Sequence, residues 1–220
     1  MKFLFSFILL ASCNSNSPTL QNSSVDSSAF IKPIVSDTAI KAKHIWVDRS
    51  NGSSYPLPDT IGGKPVSFYL DNPKVADLAK AFYRAQFRPT DNDSTTQLLS
   101  YVTTSDTLLR PFYRWCLDFT IAISDGALGE YPGVPALAYA TKFPKEFFDY
   151  MDKDTSGQRY KQWTEIIAYS GLSNYDKKES EIESEIISKM HNNCYFFGGG
   201  TKSRIVTFAK DITKAIKLQD

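Results

Sequence analysis

PFYRWCLDFTIAISDGALGEYPGVPALAYATKFPKEFFDYM, residues 111 to 151, decides how this chain folds. Pro111 suits a first helical turn, where its missing N–H costs nothing. Phe112, Trp115, Cys116, Phe119 and Ile123 then recur at spacings of three and four, which predicts a long helix with a broad buried face. Gly126 and Gly129 loosen its end and Pro132 breaks it. Pro135 and Pro144 each suit a new first turn. Beyond Pro144, Lys145 and Glu146 open a short helix that turns Phe147, Phe148 and Met151 inward. The stretch therefore reads as a central helix followed by a corner turned several times, more a set of joints than a catalytic loop.

The same grammar extends outward on both sides. Upstream, Asn72 and Pro73 read as a cap and a first turn for a helix whose Val75, Leu78, Ala79, Phe82 and Ala85 share one face, with Pro89 as its stop. Ser94 with Gln97 has the spacing of a capping box. Downstream, Tyr160, Trp163 and Ile167 line a helix that begins near Gly157 and ends at Gly171. Ile182, Ile186 and Met190 line another, with acids near its start that suit the helix dipole. Ile205, Phe208, Ile212 and Ile216 line the last. The expected class is mainly α, an irregular helical bundle or stacked helical hairpins, because no motif repeats at a fixed period.

Residues 31–71 read less clearly. HIWVD (44–48) and PVSFYL (65–70) are candidate short strands around NGSSYPLPDTIGG, which is turn material. A small hairpin and an extended arm both fit.

The first line, MKFLFSFILLASCNSNS, places Lys2 before an apolar run from Phe3 to Ala11. That run is too short to span a bilayer, which needs about 20 residues. The segment LASC, Leu10 to Cys13, resembles the lipobox of bacterial lipoprotein signal peptides, with Ser12 where glycine or alanine is commoner. The resemblance covers residues 1–13 only. It implies cleavage before Cys13, lipidation of the Cys13 thiol with a diacylglycerol, and acylation of the new amine, which together meet the two-signal requirement for stable anchoring. It also implies a cell-envelope address, by default the outer membrane facing the periplasm, since Asn14 differs from the aspartate that retains many lipoproteins at the inner membrane. The expected organisation is a signal peptide over 1–12, a lipidated cysteine and polar tether over 13–30, an arm or hairpin over 31–71, and a helical domain over 72–220.

The whole chain has 25 basic and 24 acidic residues. Cleavage before Cys13 removes Lys2 alone and leaves the body formally neutral, which argues against nucleic acid as a partner. A body of this length buries roughly 70% of its unfolded surface, enough for one core.

Candidate sites are few. Cys116 and Cys194 are the thiols left after Cys13. A disulfide between them would close a loop of about 80 residues, worth up to ~4 kcal/mol on the chain-entropy model; the alternative is a buried thiol and a solvent-facing one. His191 with Cys194 offers too few ligands for zinc, and His44 lies far upstream, so no metal or other cofactor is expected. FFGGGTKS (196–203) lacks the glycine that a phosphate loop places before its lysine. Asp125 and Glu130, beside Tyr131, form the best acid pair to suspect for glycoside hydrolysis. Arg110, Arg114 and Tyr131 are the candidate binding surface, because arginine and tyrosine are enriched at interface hot spots.

These readings favour a membrane-tethered protein-binding module without catalysis, of which an immunity-like lipoprotein that occludes an incoming toxin is one version. Its partners would be the membrane, through the lipid, and another envelope or periplasmic protein. An envelope glycan hydrolase and a periplasmic small-ligand carrier are the alternatives.

Overall fold

A computed structural model describes residues 44–172, 177–194 and 199–218. Cys13, the tether and residues 196–198 of the FFGGGTKS stretch lie outside the described residues. The described chain opens with two small antiparallel hairpins. Strand β1 (Ile45–Val47) pairs with β2 (Ser54–Pro56) in the register Ile45 to Pro56, Trp46 to Tyr55 and Val47 to Ser54; β3 (Thr60–Ile61) pairs with β4 (Lys64–Pro65). The first turn is held by Asp48, whose carboxylate accepts from the Ser50 N–H at 2.9 Å and the Ser50 hydroxyl at 2.7 Å. The two-residue alternation of a strand sends Trp46 and Asp48 inward and leaves Ile45, Val47 and Arg49 outside.

A strand over residues 65–70 does not form beyond Pro65. Ser67–Leu70 is a single helical turn, α1. That turn brings Tyr69 into the core, where its hydroxyl donates to the Ile61 carbonyl at 3.0 Å and its ring stacks on Phe112 at 5.0 Å.

Two helix starts differ from their sequence signals. Asn72 caps a turn, not a helix, its side chain accepting from the Lys74 N–H at 2.9 Å. Helix α2 (Asp77–Tyr83) begins later, where the Ala76 N–H donates to the Tyr113 hydroxyl at 3.0 Å. Helix α3 (Asp93–Ser100) is capped by Asn92, which accepts from the Thr95 N–H, so Ser94 lies inside it and the capping box is not used.

The central helix α4 (Arg110–Ile123) starts where the sequence places it, with Pro111 in its first turn. Phe112, Trp115 and Phe119 build an aromatic stack along it, with successive ring centroids 5.8 and 5.4 Å apart. Trp46 meets Phe119 edge-on at 5.2 Å, which joins the first hairpin to the helical core. Trp46, Leu57 and Ile61 belong to the same hydrophobic core as the helices, and Ala42–Asp220 form one compact unit. No separation of cores falls between residues 71 and 72.

The corner after α4 is a 3-10 turn over Gly126–Glu130, then α5 (Gly133–Lys142) and α6 (Pro144–Met151). Helices α7 (Gln158–Ser170), α8 (Glu179–Asn192) and α9 (Gly199–Lys217) complete the bundle. Gly133 has a packing reason: a Cβ there would lie 2.4 Å from the Gly171 nitrogen, so α5 and the end of α7 meet backbone to backbone. Phe147, Trp163 and Phe208 form the second half of the core, with 6.0 and 4.8 Å between rings. The protein is mainly α with two short hairpins at the start of its described part. No described helix is long and apolar enough to cross a membrane.

Candidate functional site

Arg110 and Arg114 are not a surface. They are 3% and 8% exposed, because the turn that starts α4 points them into the bundle. Arg110 donates to the Thr104 carbonyl at 2.9 Å and pairs with Glu146, while its guanidinium lies 3.6 Å over the Phe143 ring. Arg114 donates to the Tyr139 hydroxyl at 2.9 Å and lies 4.0 Å over Tyr150. Its Nε has no partner among the described residues. The network continues through Asp118, which accepts from the Tyr150 hydroxyl at 2.8 Å and from the Trp163 indole at 2.7 Å. Burial pushes the Tyr139 phenol up to about 12 and raises that of Tyr150 further. This polar network ties α4 to α5, α6 and α7 and selects one arrangement of them.

The expected bridge between Cys116 and Cys194 is not formed; both thiols are free. Cys116 faces the core with no exposed surface, and burial raises its pKa well above the ordinary thiol value. Cys194 follows α8 and lines a cavity of about 240 Å³ with His191, Thr201, Lys202 and Ile205. Among the described residues, no group of three histidine, cysteine or acidic side chains is placed to hold a metal. His44 and His191 are both exposed.

The acid pair is placed on separate duties. Asp125 stands at the start of the 3-10 turn without capping it through its side chain, and pairs with Arg88 at 3.4 Å. Glu130, at the other end of the turn, is exposed. Neither acid lines the cavities described here. The Tyr131 hydroxyl donates to Asp91, which raises the tyrosine pKa, with Glu130 and Asp93 adding to the effect.

These contacts reveal the junction that the structure does assemble. Arg88 reaches Asp48 in the first hairpin and Asp125 in the corner; Tyr131 reaches Asp91. The hairpin, the α2–α3 connection and the α4–α5 corner, distant in sequence, thus converge. Asp48 has no exposed surface, and its bond from Arg88 holds its carboxyl down at about 2. Beside this ion pair is a cavity of about 150 Å³ lined by Trp46, Val47, Arg49, Ala85, Gln86 and Arg88. Two of these residues are cationic and none is acidic.

Two local irregularities sit in that lining. Ala85 has φ +57°, the left-handed region. It ends α2 as a Schellman motif, with Gln86 N–H donating to the Ala81 carbonyl at 2.8 Å and Ala85 N–H to the Phe82 carbonyl at 3.1 Å. Glycine is the usual residue there, since a Cβ costs about 1–2 kcal/mol in this conformation. The Trp46 indole N–H, on a residue only 2% exposed, has no acceptor among the described residues.

Sequence reasoning named none of Trp46, Asp48, Arg49 and Arg88 as site residues, and it placed Ala85 on the face of a helix that in the structure ends at Tyr83. The alternation in HIWVDR carried a signal for the first three, because a half-buried strand sorts its side chains by parity. Nothing local marked Arg88 as the partner of Asp48.

The fold and its junction define a mainly helical protein with a small edge-exposed hairpin. No protein-family model matches the chain, and neither does any curated protein or solved structure.

Proposed function

We propose that this chain is a membrane-tethered binding module of the cell envelope that works by surface complementarity rather than by catalysis. The observation that carries this reading is the outer face of the first hairpin. Ile45 and Val47 are 57% and 49% exposed on a strand with no neighbour on its outer edge among the described residues. Their inclusion in an interface would contribute about 1 kcal/mol each from apolar burial. At three residues β1 is too short an edge to invite general aggregation, and it offers a compact contact for one specific partner. The lipobox-like LASC segment supplies the tether in this reading, and the lipid confines the binding surface to the membrane plane. An immunity-like role, in which the surface occludes an incoming toxin, is one form of it.

The test is cross-linking in intact cells followed by affinity purification, comparing the native chain with Cys13→Ala and with Val47→Asp. A single protein enriched with the native chain and lost with both variants supports the reading. Enrichment of no protein, or of the same proteins with all three chains, would sink it.

A further inference from the structure

The hairpin register determines which backbone groups of β1 are free. The Asp48 N–H donates to the Ser53 carbonyl at 2.8 Å, and the Leu57 N–H donates to the His44 carbonyl at 2.7 Å. Pairs 48 with 53 and 44 with 57 are therefore hydrogen-bonded, and in an antiparallel ladder such pairs alternate with pairs that are not. Ile45 opposite Pro56 and Val47 opposite Ser54 are the non-bonded pairs. Their N–H and C=O groups point away from β2, toward the open edge. Pro56, which has no N–H to present, accordingly sits at a non-bonded position.

Beside this edge is the cavity formed with Ala85, Gln86 and Arg88 of the α2–α3 connection. Its two cations differ in how they are compensated. Arg88 is engaged by Asp48 and Asp125, whereas Arg49 makes no ion pair among the described residues and is exposed. Trp46, which also lines the cavity, has a buried indole N–H with no acceptor among the described residues. Ala85 keeps a methyl group on this wall at a position where glycine would be unstrained.

We infer that the outer edge of β1 takes an extended acidic segment of a partner protein as an added strand, with one of its carboxylate side chains seated beside Arg49. The inference rests on the binding-module reading and names the chemistry of its partner. Strand addition divides the work in a known way: backbone hydrogen bonds to Ile45 and Val47 supply affinity, and the cavity selects a side chain from every second position of the incoming strand. Arg49, the cation of this lining that makes no ion pair among the described residues, favours a carboxylate at that position.

The test uses the full chain in detergent, titrated with a fluorescein-labelled peptide of alternating glutamate and valine and with its lysine–valine counterpart. Hydrogen exchange at the Ile45 and Val47 amides is followed with and without peptide. The acidic peptide is expected to bind at least about tenfold tighter than the basic one and to slow exchange at both amides. Val47→Pro removes an outward N–H while leaving the ladder to β2 intact, and should weaken binding about fivefold to tenfold with little change in melting temperature. Arg49→Glu, which touches no backbone bond, should abolish the preference for the acidic peptide. Equal binding of the two peptides, or unchanged binding by both variants, overturns the inference. So does slow exchange at Ile45 and Val47 in the free chain, which would mean that the edge is already covered; dilution then tells a second copy from the chain itself. If the peptides fail while cross-linking in cells still enriches one partner, the edge assignment falls and the binding-module reading stands.

Discussion

The Arg88 guanidinium grips the Asp48 carboxylate through two bonds, Nε to Oδ1 at 2.8 Å and Nη2 to Oδ2 at 3.0 Å. Forty residues separate the two in sequence, and the contact fastens the first hairpin to the helical body beside the cavity described above. Because Asp48 has no exposed surface, water does little to screen the pair.

This pair makes stability depend on acid pH. The Asp48 carboxyl is held at about 2 in the folded chain, against an ordinary 3.8. A depressed folded pKa contributes stability above the unfolded pKa, and that contribution is lost as pH falls through the folded one. Urea denaturation of the native chain should therefore lose about 2 kcal/mol more than Asp48→Asn between pH about 4 and about 2. Glu185, bonded by Lys177 and Lys189 and also held at about 2, titrates in the same window. The difference between the two chains isolates the Asp48 part. Parallel curves would show that the pair does not stabilise the fold.

The two arginines and Tyr131, grouped together by composition, should separate on substitution. Arg110→Ala removes a nearly buried cation from a partly exposed Glu146 and from two backbone carbonyls, and is expected to cost about 1–3 kcal/mol. Tyr131→Phe removes one hydrogen bond at the surface and should change stability by less than about 1 kcal/mol. Chemical denaturation of both variants reads the contrast directly.

Ala85→Gly should raise stability by about 0.5–1 kcal/mol. Relief of the left-handed strain outweighs the larger entropy of glycine in the unfolded chain. The denaturation midpoint would move up at constant slope. A decrease would mean that the methyl group contributes more by packing than the backbone conformation costs.

Gly133→Ala should do the opposite. Its new methyl would lie 2.4 Å from the Gly171 nitrogen and 2.5 Å from the Ile166 carbonyl, both backbone atoms that cannot swing aside. Forcing α5 from α7 is expected to cost about 1–3 kcal/mol, visible as a lower melting temperature.

Thiol chemistry tests the free cysteines. In the native chain Cys194 should react with an alkylating reagent, slowly, because partial burial raises its pKa, while Cys116 should react only after unfolding. Mass spectrometry after alkylation without reductant counts the thiols; a chain in which neither cysteine is modified even when unfolded would indicate a bridge after all.

Much of the architecture was legible in the residues themselves. The spacing of Phe112, Cys116 and Ile123 placed α4, and Pro144 placed the start of α6, because apolar periodicity and proline act within a turn or two of chain. Asn92 took the cap expected of Ser94, and α2 waited until Asp77, because several residues near each start could serve and neighbouring contacts selected among them. Sequence alone therefore determined that the protein is helical and where most of its helices lie. It did not determine which charged residues face water. Arg110 and Arg114 look like surface residues by type, yet they are buried because Glu146, Tyr139 and Tyr150 arrive from other helices to receive them. Asp48 and Arg88 carry no mutual signal across the intervening chain, and the outward direction of the Ile45 and Val47 backbone groups follows only from the register with β2. Local structure follows from nearby residues; the disposition of charge and of unpaired backbone depends on which distant segments the core brings together.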